Sequence, residues 1–193
     1  MSKKVLVILG HPDSESLCGA LAESYAAGAR EAGAEVREMR LGELQFDPIL
    51  HKGYREIQEL EPDLAEAQQA ILWAEHIVWV YPTWRGTMPA LMKGFLDRVF
   101  LPGFAFKYHP KSPWWDRLLK GRTGRMIVTM DAPTLYDTFA YWAGGRRTLK
   151  KAVLEFCGFK PVRITTFGQV KFADEPKREK WLAKVRDLGA RLS

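Results

Sequence analysis

The sequence predicts a doubly wound α/β domain built on a parallel sheet, and three observations carry that prediction. Apolar runs of strand length alternate with longer segments of helical spacing along all 193 residues. The runs are nearly continuous, as in Val5-Leu6-Val7-Ile8-Leu9 and Ile77-Val78-Trp79-Val80, which is the pattern of parallel strands covered on both faces. Two of them end in loops rich in Gly, Pro and polar residues, where open parallel sheets keep their ligand crevices.

The first strand spans 4–9 and enters the turn Gly10-His11-Pro12-Asp13-Ser14-Glu15-Ser16-Leu17-Cys18. Helical spacing of Leu17, Leu21, Ala22, Tyr25 and Ala29 predicts a helix near 16–32. A strand at 34–39 and a helix near 62–74 follow. His76 begins a third strand, 76–81, and Pro89 suits the first turn of a helix near 89–100, where its missing N–H is no loss. Strands at 125–130 and 162–168 alternate with helices near 145–157 and 174–191. Segments 41–61 and 101–121 are long irregular connections, and such loops in compact domains are functional or form interfaces. No repeat, low-complexity segment or linker divides residues 1–193, so one domain is expected.

Composition narrows the class. A hydrophobic share of 47% with 27% charged residues is that of a globular domain able to bury a substantial core. No apolar run approaches the roughly 20 residues that span a bilayer, and no signal-peptide pattern stands at the N-terminus, so no stable membrane insertion and a cytoplasmic location are expected. Cys18 and Cys157 lie far apart without a Cys-x-x-Cys partner and are expected as free thiols. His51, His76 and His109 lack metal-ligand spacing, so no metal is expected. Nucleophile-elbow, P-loop and Gly-x-Gly-x-x-Gly patterns are absent, which argues against hydrolases, nucleoside triphosphatases and the dinucleotide fingerprint fold. Arg146, Arg147, Lys150 and Lys151 are expected on one solvated helix face.

Two loops carry the chemistry. His11 to Cys18 sits at a helix N-terminus, where free N–H groups and the macrodipole suit a phosphate, with Ser14, Ser16 and His11 as further donors. Asp13 and Glu15 oppose an anion there, and a plain helix cap by Ser14 or Asp13 accounts equally for the composition. The second loop runs Tyr81-Pro82-Thr83-Trp84-Arg85-Gly86-Thr87-Met88-Pro89-Ala90-Leu91-Met92-Lys93-Gly94-Phe95. Pro82 fixes φ, Gly86 permits conformations closed to other residues, and Trp84 offers a planar face, so the loop suits a flat ring. An ordinary strand-to-helix turn around a core tryptophan reads the same way.

Together the two loops resemble those of the flavodoxin-like NAD(P)H oxidoreductases, the quinone reductase or DT-diaphorase family, over most of the chain. The resemblance rests on the Pro-x-x-Trp-x-Gly-x-x-Pro-Ala-x-x-Lys-Gly pattern from Pro82 to Gly94 and on the His- and Ser-containing first loop, and Phe95 to Phe100 and Gly103 to Phe106 continue it. It implies a five-stranded sheet of order 2-1-3-4-5 with the crevice at the ends of strands one and three. It further implies that His11, Ser16, Leu17 and Cys18 hold the flavin phosphate and that Pro82, Thr83, Trp84, Arg85 and Gly86 carry the ring. FMN is the expected cofactor, with FAD the alternative. NAD(P)H is the donor, the net charge of +6 leaning towards NADPH. Quinone-like acceptors would be reduced by ping-pong hydride transfer. Two departures stand out: Cys18 where the family commonly has Asn, and Thr129-Met130-Asp131-Ala132-Pro133 in place of a Thr-x-Gly-Gly loop.

Tyr136, just beyond that third loop, is the candidate proton donor or hydrogen-bond partner for the reduced acceptor, and a packed loop-end tyrosine is the alternative. The aromatic and basic stretch 104–117 is expected to wall the acceptor pocket through Phe104, Phe106 and Trp114, or to form a dimer interface, since the family generally forms homodimers with shared pockets. Nucleic-acid binding is not expected, because no recognised module accompanies the stretch. From another class, the sequence also resembles the flavin-binding regulatory subunits of potassium efflux systems.

Overall fold

The computed structural model describes residues 2–192. Five parallel strands form its sheet in the order β2-β1-β3-β6-β7: β2 is Glu35–Arg40, β1 Lys4–Leu9, β3 His76–Pro82, β6 Thr123–Thr129 and β7 Val162–Phe167. The remaining pair, β4 (Phe106–Tyr108) and β5 (Trp115–Arg117), is a short antiparallel hairpin within the connection read as irregular. Strand existence follows the apolar runs, and boundaries shift by one or two residues, as at β2 and β6.

Burial explains the runs. All seven residues of β3 are buried, because this strand lies mid-sheet with helices on both faces. Alternate side chains divide between two cores. Ile77, Trp79 and Tyr81 face α2 (Pro62–Trp73) and α3 (Ala90–Val99), while Val78 and Val80 face α1 (Leu17–Glu31) and α6 (Glu175–Ala190). Edge strand β2 is largely exposed and correspondingly polar.

Three features were not legible in the chain pattern. The first is α4, Thr134–Ala140, too short to show helical periodicity. The second lies in the predicted helix near 145–157, which begins as α5, Gly144–Arg147, and continues as a π-helical stretch over Thr148–Glu155. The third is the order of the 44–61 connection. Arg98 on α3 is fully buried and donates to the Glu59 carbonyl (2.8 Å), the Asp47 carbonyl and the Glu61 carboxylate (2.8 Å), so one cation ties the loop to the helix. A buried arginine persists only with such partners.

Candidate functional site at the ends of β1, β3 and β6

The switch point of the sheet lies between β1 and β3, whose C-terminal ends open beside β6. Gly10 donates its N–H to the Val80 carbonyl (2.8 Å) and so continues the ladder to the rim of the cleft. His11 Nδ1 accepts the Asp13 N–H (2.9 Å), and Asp13 in turn accepts the Glu15 N–H (2.9 Å). With Nδ1 occupied as an acceptor, neutral His11 carries its proton on Nε2 and is a donor there. Its ring meets Trp84 edge-on at 5.4 Å.

Ser16 is the N-cap of α1. Its hydroxyl donates to the Asp13 carbonyl (2.7 Å) and accepts the Gly19 N–H (3.2 Å). The capping reading therefore holds for this hydroxyl, and the first-turn N–H groups of Leu17 and Cys18 are the ones without intrahelical acceptors. The Cys18 side chain turns away from that role. Its sulfur lies 3.2 Å from Thr129 Oγ1, joining α1 to β6 beneath the cleft, and burial pushes the thiol up to about 11 against the opposing pull of that bond. Cys18 and Cys157 are both free and buried.

On the other wall, Thr83 donates to the Thr129 carbonyl (2.7 Å). Trp84 and Thr87 then exchange backbone bonds of 2.8 and 3.1 Å around Arg85 (φ 51°) and Gly86 (φ 80°). Positive φ at both central residues makes this a tight type I′ turn. Its tip leaves the Arg85 and Gly86 N–H groups without acceptors among the described residues. A side chain on Gly86 would meet no atom within 4 Å, so the space over the turn is open.

The third wall is the loop after β6. Asp131 accepts the Lys171 N–H (3.1 Å). Asp137 on α4 is buried and accepts from Arg146 Nη2 (2.6 Å) and Nε (3.0 Å). Arg146 is thus no member of a solvated face: its side chain is 13% exposed and its charge is committed to Asp137. The Tyr81 hydroxyl, buried near this pair and without a hydrogen-bond partner among the described residues, has its ionisation pushed up by burial.

These walls enclose two adjoining cavities that share Thr83, Trp84, Met130 and Asp131. The inner one, about 240 Å³, is lined by His11, Ser16, Leu17, Cys18 and Pro82. The outer one, about 680 Å³, is lined by Arg85, Gly86, Ala132, Asp137 and Tyr141. Helix-end and imidazole donors at one end, with an open turn and a tryptophan face at the other, fit a phosphate joined to a flat ring.

All nine residues expected to hold a cofactor thus line one cleft. The expected acceptor-side residues do not join them. Tyr136 is half-exposed behind Tyr141, their rings edge-on at 5.6 Å, and it is Tyr141 that lines the outer cavity. Phe106 is buried in the core against Phe156 (5.0 Å), and Phe104 is partly buried against the same core. Trp114 stands exposed beside the β4–β5 hairpin, away from the cleft lining of its own chain. Asp137 and Tyr141 went unrecognised because their pattern is neither periodic nor a motif; α4 and the turn after it bring them to the outer cavity, and Arg146, expected on a solvated face, pairs with Asp137 there.

A parallel sheet of this order with a donor-lined cleft at its switch point defines a flavodoxin-like α/β protein. The family described as flavodoxin-like fold matches residues 3–192. An uncharacterized NAD(P)H oxidoreductase of Haemophilus influenzae is 30% identical over 181 residues, covering 90% of this chain and 88% of that protein. The ribosyldihydronicotinamide dehydrogenase [quinone] of Pongo abelii is 26% identical over 199 residues, covering 90% and 83% respectively. Among solved structures, an NAD(P)H:quinone oxidoreductase from Methanothermobacter marburgensis superposes with a TM-score of 0.83 over the full length of both chains at 22% identity. The chain belongs to the flavodoxin-like NAD(P)H oxidoreductase and quinone reductase family, and it is an enzyme of that type.

Proposed function

We propose that the enzyme is an FMN-dependent NAD(P)H oxidoreductase of the cytoplasm that reduces quinones or similar flat acceptors. The observation that carries this reading is the paired cavity, in which anion donors at His11, Leu17 and Cys18 lead directly to the open turn at Arg85 and Gly86 beneath Trp84. A flavin, when bound, supplies the redox chemistry. The chain's part is to fix the phosphate at the α1 N-terminus, present the unpaired N–H groups of Arg85 and Gly86 to the polar edge of the ring, and leave one outer cavity open. Because donor and acceptor share that one cavity, they visit in turn, and ping-pong kinetics follow. Tyr141, at the cavity wall with the Tyr136 ring edge-on behind it at 5.6 Å, is the residue that holds or delivers a proton at the acceptor oxygen, with Tyr136 as its neighbour.

Exposed Leu135, Phe139 and Trp142, on and just after α4, together with Trp114, support a homodimer in which a second chain closes the acceptor side. For FAD as the cofactor instead, one observation speaks: a further groove of about 400 Å³ at the end of β7 carries Lys177, Trp181 and Lys184, cations and a ring suited to an adenosine phosphate.

Absorbance and mass of the cofactor released from purified protein decide between the two. NAD(P)H oxidation by the loaded protein with a naphthoquinone tests the reaction, with parallel initial-rate lines expected. Flavin binding with NAD(P)H oxidation but no transfer to the quinone would overturn quinones as the acceptor class.

A further inference from the structure

The tip of the ring-side turn carries an unexpected residue. A type I′ turn needs positive φ at both central positions, and Asn, Asp or Gly meet that demand at the first of them. Here Arg85 occupies it, at φ 51°, a region that a long β-methylene side chain enters only at a cost. Strain held in a cleft points to a use for the side chain.

The surroundings state that use. Arg85 is exposed, lines the outer cavity and engages no carboxylate among the described residues. Two acidic residues line the same cavity, yet neither forms an ion pair with it among the described residues: Asp137 is held by Arg146 at 2.6 Å, and Asp131, which keeps its charge, is turned to the Lys171 backbone N–H at 3.1 Å. An uncommitted guanidinium at the mouth of a cavity suited to flat rings is a receptor for an anion carried on such a ring.

We propose that Arg85 selects acceptors bearing a carboxylate or sulfonate on the flat ring, an inference that rests on the quinone reductase reading above and names its substrate class. The same chemistry would also greet the extra phosphate of NADPH, and the test separates the two sources.

Flavin-loaded protein is titrated with 1,4-naphthoquinone-2-sulfonate and with 1,4-naphthoquinone, binding being read by quenching of tryptophan fluorescence. The wild type should bind the sulfonate more tightly relative to the neutral quinone. That ratio should fall about fivefold in Arg85→Asn, which suits the turn and removes the charge, survive in Arg85→Lys, and shrink with added salt. A ratio unchanged in Arg85→Asn or insensitive to salt overturns the proposal. So does a variant that loses only its discrimination between NADPH and NADH, which would move the charge to the dinucleotide. Failure to turn over either quinone, with the binding ratio intact, sinks the reductase reading and leaves the anion site standing.

Discussion

Gly145 and Gly86 are in backbone contact: a Cβ on Gly145 would lie 2.2 Å from the Gly86 carbonyl oxygen. The start of α5 therefore buttresses the turn on which the ring is expected to rest, a contact possible only because Gly145 lacks a side chain. Alanine there must displace the turn, since both neighbours are backbone and neither can swing aside. Gly145→Ala should lower flavin affinity by about tenfold, as should Gly86→Val, which fills the open space above the turn and forces β-branching into positive φ. Cofactor titration of the apoprotein checks both, and equal losses of apo and holo thermal stability would reduce the two glycines to structural turn residues.

Ser16→Asp separates capping from cofactor binding. Asp caps a helix as well as Ser does, so α1 should persist. A carboxylate beside the Leu17 and Cys18 N–H groups repels a phosphate, and the variant should purify with far less flavin at little cost to folding. Undiminished flavin content, measured by absorbance, would remove this loop from the site.

The Asp137–Arg146 pair is nearly buried, with side chains 5% and 13% exposed. Removing one partner strands the other charge, and such losses cost about 3 kcal/mol or more. Arg146→Met should thus lower the denaturation midpoint markedly, whereas the double replacement Asp137→Leu with Arg146→Met should recover part of the loss. Additive losses in that cycle would show that the two charges do not interact.

His76 predicts a dependence on pH. It lies at the opposite end of β3 from the cleft, 3.0 Å from the Tyr25 hydroxyl and 2.6 Å from Thr123 Oγ1, and burial, with nearby Lys3, Arg125 and Arg163, holds its pKa down to about 3. The unfolded chain takes up a proton near pH 6.5, and the folded chain does so only near 3. The folded state therefore binds fewer protons between those values, and stability present above pH 6.5 is lost as pH falls towards 3. The slope approaches about 1.4 kcal/mol per pH unit within that window. Denaturant midpoints measured from pH 7 to pH 4 should fall more steeply for the wild type than for His76→Gln, and matching slopes would place the acid sensitivity elsewhere.

Trp114 and Phe106 should part company on replacement by alanine. Phe106→Ala empties a core position and should cost about 3 kcal/mol of stability. Trp114→Ala touches exposed surface and should leave stability nearly unchanged while slowing the quinone half-reaction more than reduction by NAD(P)H, if a partner chain brings this ring to the acceptor. Stopped-flow measurement of the two half-reactions decides, and equal rates in both would leave Trp114 outside the site.

The parallel sheet was legible because its strands are buried on both faces: continuous apolar runs such as Val5 to Leu9 and Ile77 to Val80 have no other reading in a chain of alternating periodicity. The cleft was legible because its parts are contiguous in sequence, one loop after β1 and one after β3, and the chirality of βαβ crossovers sets such loops side by side. What lies on the acceptor side was not. Tyr141 instead of Tyr136 at the cavity wall, Phe106 in the core, and Arg146 drawn inward to Asp137 depend on a seven-residue helix and on two consecutive left-handed residues, Trp142 and Ala143, that turn the chain back on itself. Positive φ at Trp and Ala has no signature in composition or periodicity. Local sequence determined which segments became strands and which two loops would meet at the cleft. Tertiary packing decided which side chains face the outer half of the cleft, because that choice rests on close backbone approaches, such as Gly145 on Gly86, between segments nearly sixty residues apart.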